Sequence, residues 1–325
     1  MKEEEIRPRK IFDEYLRLAQ QDAVTFFSAV PRDSGPCPAC TQAGQHAFNK
    51  DGFDYETCSR CHTLFVNPRP VAAAFSRYYT ESPSARFWAT TFYKETAEAR
   101  REKLWKPKAR LINDCLERYQ AAGHTVIDIG GGFGLFGEEM RGLTGRTVTV
   151  IEPGPHLASV CREKSLPVIE KFLEQVTPGD LPAGPKAFVS FELFEHLHDP
   201  AAFLRHLRGL MGSGDLFLFT TLSGAGVDIQ ALWQDSKSVS PPHHLNFLNP
   251  RSVDILLGRI GLEMLEVTTP GKLDVDILVN NQAQIKDRFW RTFAATATEA
   301  ARTQWQSLIA ASGWSSHMMV VCRKA

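Results

Sequence analysis

Val126-Ile127-Asp128-Ile129-Gly130-Gly131-Gly132-Phe133-Gly134 is a short β-branched run that breaks into glycines, and an apolar segment of helical character, Leu135 to Leu143, follows it. The order reads as a buried strand, a ligand-binding turn and the start of a helix. Glycine reaches positive φ and leaves backbone N–H groups open to close approach, because no Cβ stands in the way. The minimal reading is a tight turn between strand and helix. Gly132-Phe133-Gly134-Leu135-Phe136-Gly137 also satisfies the dinucleotide pattern G-x-G-x-x-G, but there the strand runs directly into the first glycine, and here Gly130 and Gly131 intervene. Counted from Gly130, the motif is Asp-x-Gly-x-Gly-x-Gly, with an acid inside the strand end. A carboxylate in that place suits a ligand with a positive ammonium group and repels a pyrophosphate.

Two later stretches repeat the theme. Thr147-Val148-Thr149-Val150-Ile151-Glu152 reads as a second strand ending in a carboxylate placed for ribose hydroxyls, and Ala187 to Pro200 contains a strand running into Glu192-Leu193-Phe194-Glu195-His196. Together the three segments resemble the class I S-adenosylmethionine (SAM) methyltransferases. The resemblance implies an α/β, Rossmann-like seven-stranded sheet with the last strand antiparallel. It also implies SAM as cofactor, with Asp128, Gly130, Gly132 and Gly134 at the turn and amino-acid moiety, Glu152 at the ribose, Phe172 where an adenine ring rests, and Phe191 in the cofactor-binding set.

The 37 Lys+Arg balance the 37 Asp+Glu, so no global field favours nucleic acid or an anionic membrane. Hydrophobic content of 43% is ordinary for a folded chain of 325 residues, enough for one large or two modest domains. The acidic opening Met1 to Glu5 has no apolar stretch behind it, and no run approaches the roughly 18 apolar residues of a membrane span. A cytoplasmic protein is expected, either monomer or homodimer.

Cys37-Pro38-Ala39-Cys40 and Cys58-Ser59-Arg60-Cys61 are two C-x-x-C knuckles seventeen residues apart. Each knuckle offers two thiolates from one turn, and four soft sulfurs suit a tetrahedral structural zinc. A closed site of this kind activates no water, so its role is folding and positioning. The competing reading is a pair of redox dithiols. An amphipathic helix from about Arg9 to Phe27 precedes the knuckles, and Phe65-Val66-Asn67-Pro68-Arg69-Pro70 leaves them as an extended link.

The expected organisation is a helix and zinc-ribbon module over 1–70, a helical cap over 71–122, and a SAM-binding domain over 123–325. In the cap, helices are expected over Ala72–Tyr79, Ala85–Lys103 and Pro107–Ala122, with Pro107 in a first turn and Gly123 as a stop. Its basic run, Lys94 to Arg110, reads as a solvated face of ion pairs or as a contact for a phosphate-bearing substrate. Alternating strands and helices follow, ending in strands over Leu262–Val267 and His317–Arg323. Two insertions interrupt the pattern. Ser223–Pro250 is expected as a long polar loop at the mouth of the sheet, carrying Pro241-Pro242-His243-His244. The other, about 272–313, is expected to be mainly helical beyond Gln282, as a lid or an interface.

Methyl transfer from a sulfonium is an in-line displacement that needs alignment and dryness rather than a covalent intermediate. Where the acceptor is acidic a base is useful, and His244, His243 and His196 are the candidates in that order, each with a structural alternative. The arrangement of ribbon, cap and catalytic domain resembles bacterial small-molecule methyltransferases, including sugar C-methyltransferases, although the further carboxy-terminal domain of the sugar enzymes is not expected here. The expected acceptor is a small molecule: a sugar, a polysaccharide precursor or a secondary metabolite. The alternatives are an RNA methyltransferase docking through the ribbon, against which neutral charge argues, and a non-catalytic SAM-fold binding module.

Overall fold

A computed structural model describes residues 1–325. The first long helix, Arg9–Phe27, buries one face through Phe12, Tyr15, Ala19, Ala23, Phe26 and Phe27. Five short strands follow: β1 (Arg32–Asp33), β2 (Gly44–Lys50), β3 (Phe53–Cys58), β4 (Leu64–Val66) and β5 (Arg69–Pro70). β1 pairs with β5, while β2, β3 and β4 form an antiparallel meander around the cysteine knuckles.

Ala72–Glu81 is helical as expected. The next stretch is a correction: Pro83 to Arg118 is one continuous helical run, in which wider i→i−5 turns at Trp88–Phe92 and Arg101–Trp105 separate three α segments. Pro107 therefore starts no separate helix, and its missing N–H is tolerated because the turn before it is already opened. Nor is Gly123 the stop. Gln120 takes the left-handed conformation, φ 58°, and the N–H groups of Gln120 and Ala121 donate to the carbonyls of Glu117 and Leu116. That closure satisfies the last carbonyls of the helix three residues early, with a glutamine where glycine is usual.

The large sheet is built from β6 (Thr125–Ile129), β7 (Val148–Ile151), β8 (Val168–Ile169), β9 (Lys186–Phe191) and β10 (Leu216–Leu222). After β11 (Asn246–Phe247), β12 (Glu263–Thr268) and β13 (His317–Arg323) complete it. The order is β12-β13-β10-β9-β6-β7-β8, and β13 runs antiparallel to both its neighbours. All seven residues of β10 are buried, as a strand covered on both faces requires. Phe217 and Phe219 face one helical layer with Leu204, Leu207, Val253 and Leu257; Leu216 and Leu218 face the other with Ile112, Leu116, Phe136 and Met140.

The insertion after β10 does not remain at the mouth as an open polar loop. It makes the helix Val227–Leu232, dives inward, and returns as β11, which adds an antiparallel edge to β4 with Asn246 opposite Phe65 and Phe247 opposite Leu64. The resulting four-stranded sheet, β11-β4-β3-β2, joins the cysteine module to the catalytic half of the chain. His243, Leu245, Asn246 and Phe247 are all buried there, because the apolar side chains between the polar ones need cover. The second insertion is helical as expected, and its first helix, Asp274–Asn280, begins ahead of Gln282. Arg288–Thr296 and Glu299–Ala311 follow, joined by a cluster of Phe289, Trp290, Phe293 and Trp305.

Gly226 begins the first insertion where it passes β13, and a Cβ there would lie 2.3 Å from Ser316 Cα. Gly226→Ala is expected to destabilise the chain by about 2–4 kcal/mol in urea unfolding, since the obstacle is backbone. Gly209→Ala, in the helix Pro200–Leu210 with nothing near its Cβ, should instead stabilise by up to about 1 kcal/mol.

Candidate active site

The glycine turn leaves β6 as the motif requires: Gly130, Gly132 and Gly134 have φ of 71°, 55° and 68°. A Cβ on Gly131 would stand 2.8 Å from Asp128 Oδ2, and one on Gly134 would stand 2.8 Å from Leu166 Cδ1. Asp128 is 1% exposed, and neither of its carboxyl oxygens has a hydrogen-bond partner. Burial, reinforced by Glu152, pushes its pKa up to about 7. An acid buried without a partner is costly unless something compensates it. A cationic ligand group at the turn fits that requirement.

Glu152 follows β7 and grips the turn itself. Its Oε2 accepts from Gly132 N–H at 3.0 Å and its Oε1 from Gly154 N–H at 2.9 Å, while burial raises its pKa against those two bonds. Each oxygen keeps a lone pair for a ligand hydroxyl. Phe172 lies past β8 and is 57% exposed. Phe191 sits inside the wall, its ring 4.6 Å from Phe136 and 5.8 Å from Trp105. Over the turn lies the long helical run: Tyr93, just after its first wide turn, stacks on Phe133 at 3.9 Å with 15° between the rings.

The three candidate histidines converge beside this turn. His196 follows β9, and the preceding Leu193 packs against Gly130, its Cδ2 3.2 Å from where a Cβ would stand. His196 and His244 rings meet edge to face at 4.8 Å, and His196 and His243 at 6.1 Å. Burial pulls His244 down to about 4 and His243 to about 3, and lowers His196 well below the ordinary value with the other two rings adding. All three are therefore neutral at pH 7. His243 is engaged, its Nε2 2.5 Å from the Tyr78 hydroxyl. His244 donates from Nδ1 to the Ser238 carbonyl at 2.6 Å, which leaves Nε2 as its free lone pair.

Residues to which the sequence assigned no role of their own complete the site. Lys108, which the sequence offered only as part of a basic run, pairs with Glu192 at 3.1 Å and reaches Thr220 at 3.2 Å. Burial works to raise the Glu192 carboxyl, but Lys108 and His317 hold it well below the usual range. Glu192 also has a positive φ, 51°, a strained conformation typical of functional turns. Tyr79 Oη stands 3.5 Å from His196 Nδ1. Glu195, 1% exposed, accepts from the Thr221 hydroxyl at 2.8 Å, and burial, then Glu192, pushes it up to about 8. Three further bases of the run are also paired: Arg101 with Glu138 and Glu139, Lys103 with Glu5, and Lys106 with Glu102.

On the far side of β4, Cys37, Cys40, Cys58 and Cys61 bring their four sulfurs within 4.8 Å of one another, all buried. Cys37 and Cys61 are 3.5 Å apart and Cys40 and Cys58 3.3 Å apart. Sharing a proton with Cys37, helped by Thr63, draws Cys61 down to about 4. The cluster is a ready set of soft donors. It is fastened to the catalytic half by Asn249, whose side chain donates to the Cys61 carbonyl at 2.8 Å, and by Arg259, which donates to the Ala39 carbonyl at 2.5 Å.

The protein-family model described as "Methyltransferase domain" matches residues 97–267, more than half of the chain. A ubiquinone biosynthesis O-methyltransferase of Stutzerimonas stutzeri (strain A1501) is 30% identical over 210 residues, covering 57% of this chain and 89% of that one. One from Xanthomonas euvesicatoria pv. vesicatoria (strain 85-10) is 26% identical over 162 residues, covering 46% and 67%. Among solved structures, the plantazolicin methyltransferase BamL, in complex with a triazolic desmethyl-plantazolicin analogue and S-adenosylhomocysteine (SAH), is 13% identical with a TM-score of 0.48, covering 77% of this chain and 93% of that one.

The folded chain holds a proton on Asp128 up to about pH 7, whereas the unfolded chain releases it in the ordinary carboxylate range. The stabilisation is complete below that range and is lost as pH rises through it to about 7. Unliganded protein should lose on the order of 4 kcal/mol of stability across that window through this residue alone, at about 1.4 kcal/mol per pH unit. Chemical denaturation of the wild type and Asp128→Asn at pH 5 and 8 reads the difference, and the variant should lack this share of the slope.

Proposed function

Because the chain belongs to the methyltransferase-domain family and is a SAM-dependent methyltransferase, we propose that it transfers the methyl group to a hydroxyl oxygen of a small-molecule acceptor held at the histidine cluster. The observation that carries the reading is the buried, unpartnered Asp128 carboxylate beneath the glycine turn, which suits the ammonium of SAM and would repel a pyrophosphate. The names of the relatives, ubiquinone biosynthesis O-methyltransferases, support oxygen as the acceptor atom.

When bound, SAM supplies an electrophilic methyl whose sulfonium loses its charge as the methyl departs. The protein's part is alignment. Asp128 and the N–H groups of the turn would hold the amino-acid end, Glu152 the ribose, and the exposed Phe172 ring the adenine. Tyr93 and the helical run above the turn exclude water from it. His244, with Nδ1 fixed on Ser238 and Nε2 free, is the residue through which the acceptor is activated. His243, tied to Tyr78, holds that segment in place. The ion pairs along 101–108 leave little free positive charge for an RNA backbone. A sugar, a polysaccharide precursor and a secondary metabolite remain the acceptor classes that fit.

Calorimetric titration with SAH tests the reading. Saturable binding is expected, weakened by about 1–3 kcal/mol in Asp128→Ala and Glu152→Ala. It should also weaken as pH falls below about 7, because Asp128 must give up its proton to pair with the ammonium. His244→Ala should bind SAH as well as the wild type does and lose at least about a hundredfold in methyl transfer. Absence of SAH binding at neutral pH overturns the reading.

We further propose that Cys37, Cys40, Cys58 and Cys61 hold one structural zinc. Metal analysis of purified protein should find one zinc per chain, lost in Cys58→Ser. Stripping it with a strong chelator should lower the thermal midpoint, since so small a ribbon draws its stability from the metal.

A further inference from the structure

Glu195, His196 and His244 place one ligand atom each within 4.8 Å of one another, on two segments that are far apart in sequence. We infer that these three residues bind a divalent cation, distinct from the metal of the thiol cluster, and that the cation holds the acceptor's oxygen for methylation. The second half of this inference rests on the methyltransferase reading; the first does not.

The donor set is the first argument. Two imidazoles and one carboxylate make a borderline set suited to manganese, iron(II), cobalt or zinc, whereas the four buried thiols select a softer site. Three protein donors leave coordination positions open, so this site, unlike the closed thiol cluster, can take a ligand from outside.

Preorganisation is the second. His244 donates its Nδ1 proton to the Ser238 carbonyl at 2.6 Å, the outer contact that fixes a metal-binding imidazole with Nε2 outward. Its backbone is held on both sides: its N–H donates to Ser240 O at 3.0 Å, and its carbonyl accepts from the Tyr55 hydroxyl at 2.8 Å. Leu245 N–H then donates to the backbone carbonyl of Glu195 at 2.8 Å, so the segments carrying the ligands are locked to each other. The Thr221 hydroxyl orients the Glu195 carboxyl in the same way, at 2.8 Å.

Charge is the third argument. The nearby base, Lys108, is paired with Glu192 at 3.1 Å. Glu195 is left as a 1%-exposed acid facing two imidazoles, a grouping that a cation satisfies at all three points together.

Position gives the cation its use. It lies at the carboxyl ends of β9 and β10, where Leu193 packs against Gly130 of the cofactor turn. An acceptor hydroxyl that binds the cation releases its proton to solvent. Its oxygen then forms the new C–O bond while the electron pair of the S–CH3 bond returns to sulfur, leaving SAH. The acceptor is therefore a compound that reaches the cation through a hydroxyl or phenolic oxygen.

The test uses the full chain with its ribbon metal in place and manganese(II) as probe. Electron paramagnetic resonance titration should show one manganese bound per chain, and Glu195→Gln and His244→Ala should each weaken binding more than tenfold. Glu195→Gln keeps the side-chain volume and its contact with Thr221, and circular dichroism with unchanged SAH affinity certifies its fold. Added manganese should restore methyl transfer to protein treated with a mild chelator that spares the thiol site. No manganese binding in a chain that binds SAH, or binding that both variants retain, overturns the cation site and leaves the methyltransferase reading standing. Full transfer activity after mild chelation overturns the cation's role in the reaction. Failure to bind SAH falls on the methyltransferase reading alone, because the manganese titration needs no cofactor.

Discussion

The two-residue strand β11 is the joint on which the site depends. Leu245, the residue before it, donates to the Glu195 carbonyl at 2.8 Å and accepts from Val66 N–H at 2.9 Å. One residue thus bonds the catalytic sheet's outgoing segment on one side and the cysteine ribbon on the other. Asn246 extends the joint, donating to the Leu197 carbonyl at 2.7 Å and accepting from Arg69 at 2.5 Å. These groups are buried, so each must find a partner inside the protein, and the partners available lie on different modules. The ribbon is consequently part of the wall against which His244 is set, through the Tyr55 hydroxyl that donates to the His244 carbonyl.

The electrostatics of the mouth follow from the same burial. Asp128, Glu152, Glu192 and Glu195 crowd the strand ends, and Lys108 is the base that answers them, through Glu192. Elsewhere the chain balances its charges on the surface. Here the excess acid has two proposed complements: the ammonium group of the methyl donor at Asp128, and a cation at Glu195. The imidazoles, held neutral by burial, keep lone pairs available and add no repulsive charge.

The helical run from Pro83 to Arg118 shows how a cap is fitted to such a mouth. A regular α-helix would advance its side chains at a fixed angle. The two wider turns at Trp88–Phe92 and Arg101–Trp105 reset that phase, so that Tyr93 stacks on Phe133 and Lys108 reaches Glu192 from one continuous element. The Ala109, Ile112, Cys115 and Leu116 stripe beyond them then lies flat on the sheet.

The family resemblance implied the antiparallel last strand; the sequence by itself determined the strands of the large sheet, the glycine turn with Asp128, and the convergence of the four cysteines. Each of these is written in local signals: apolar runs of strand length, glycines where φ is positive, and paired knuckles whose spacing permits a single cluster. Tertiary structure decided what locality cannot carry. Pro107 and Gly123 suggested helix ends, yet the wide turn before Pro107 and the left-handed Gln120 set the real geometry. Pro241 to Phe247 looked like an exposed loop because its polar residues are frequent, and burial came from β11 finding an edge on β4, a pairing partner about 180 residues away that no local pattern encodes. For the same reason the three histidines, which the sequence could only rank as His244, His243 and His196, were given distinct surroundings by their neighbours in the fold. Tyr78 holds His243, Ser238 turns His244 outward, and Glu195 stands beside His196 and His244, each contact made by the fold between residues that the sequence keeps apart.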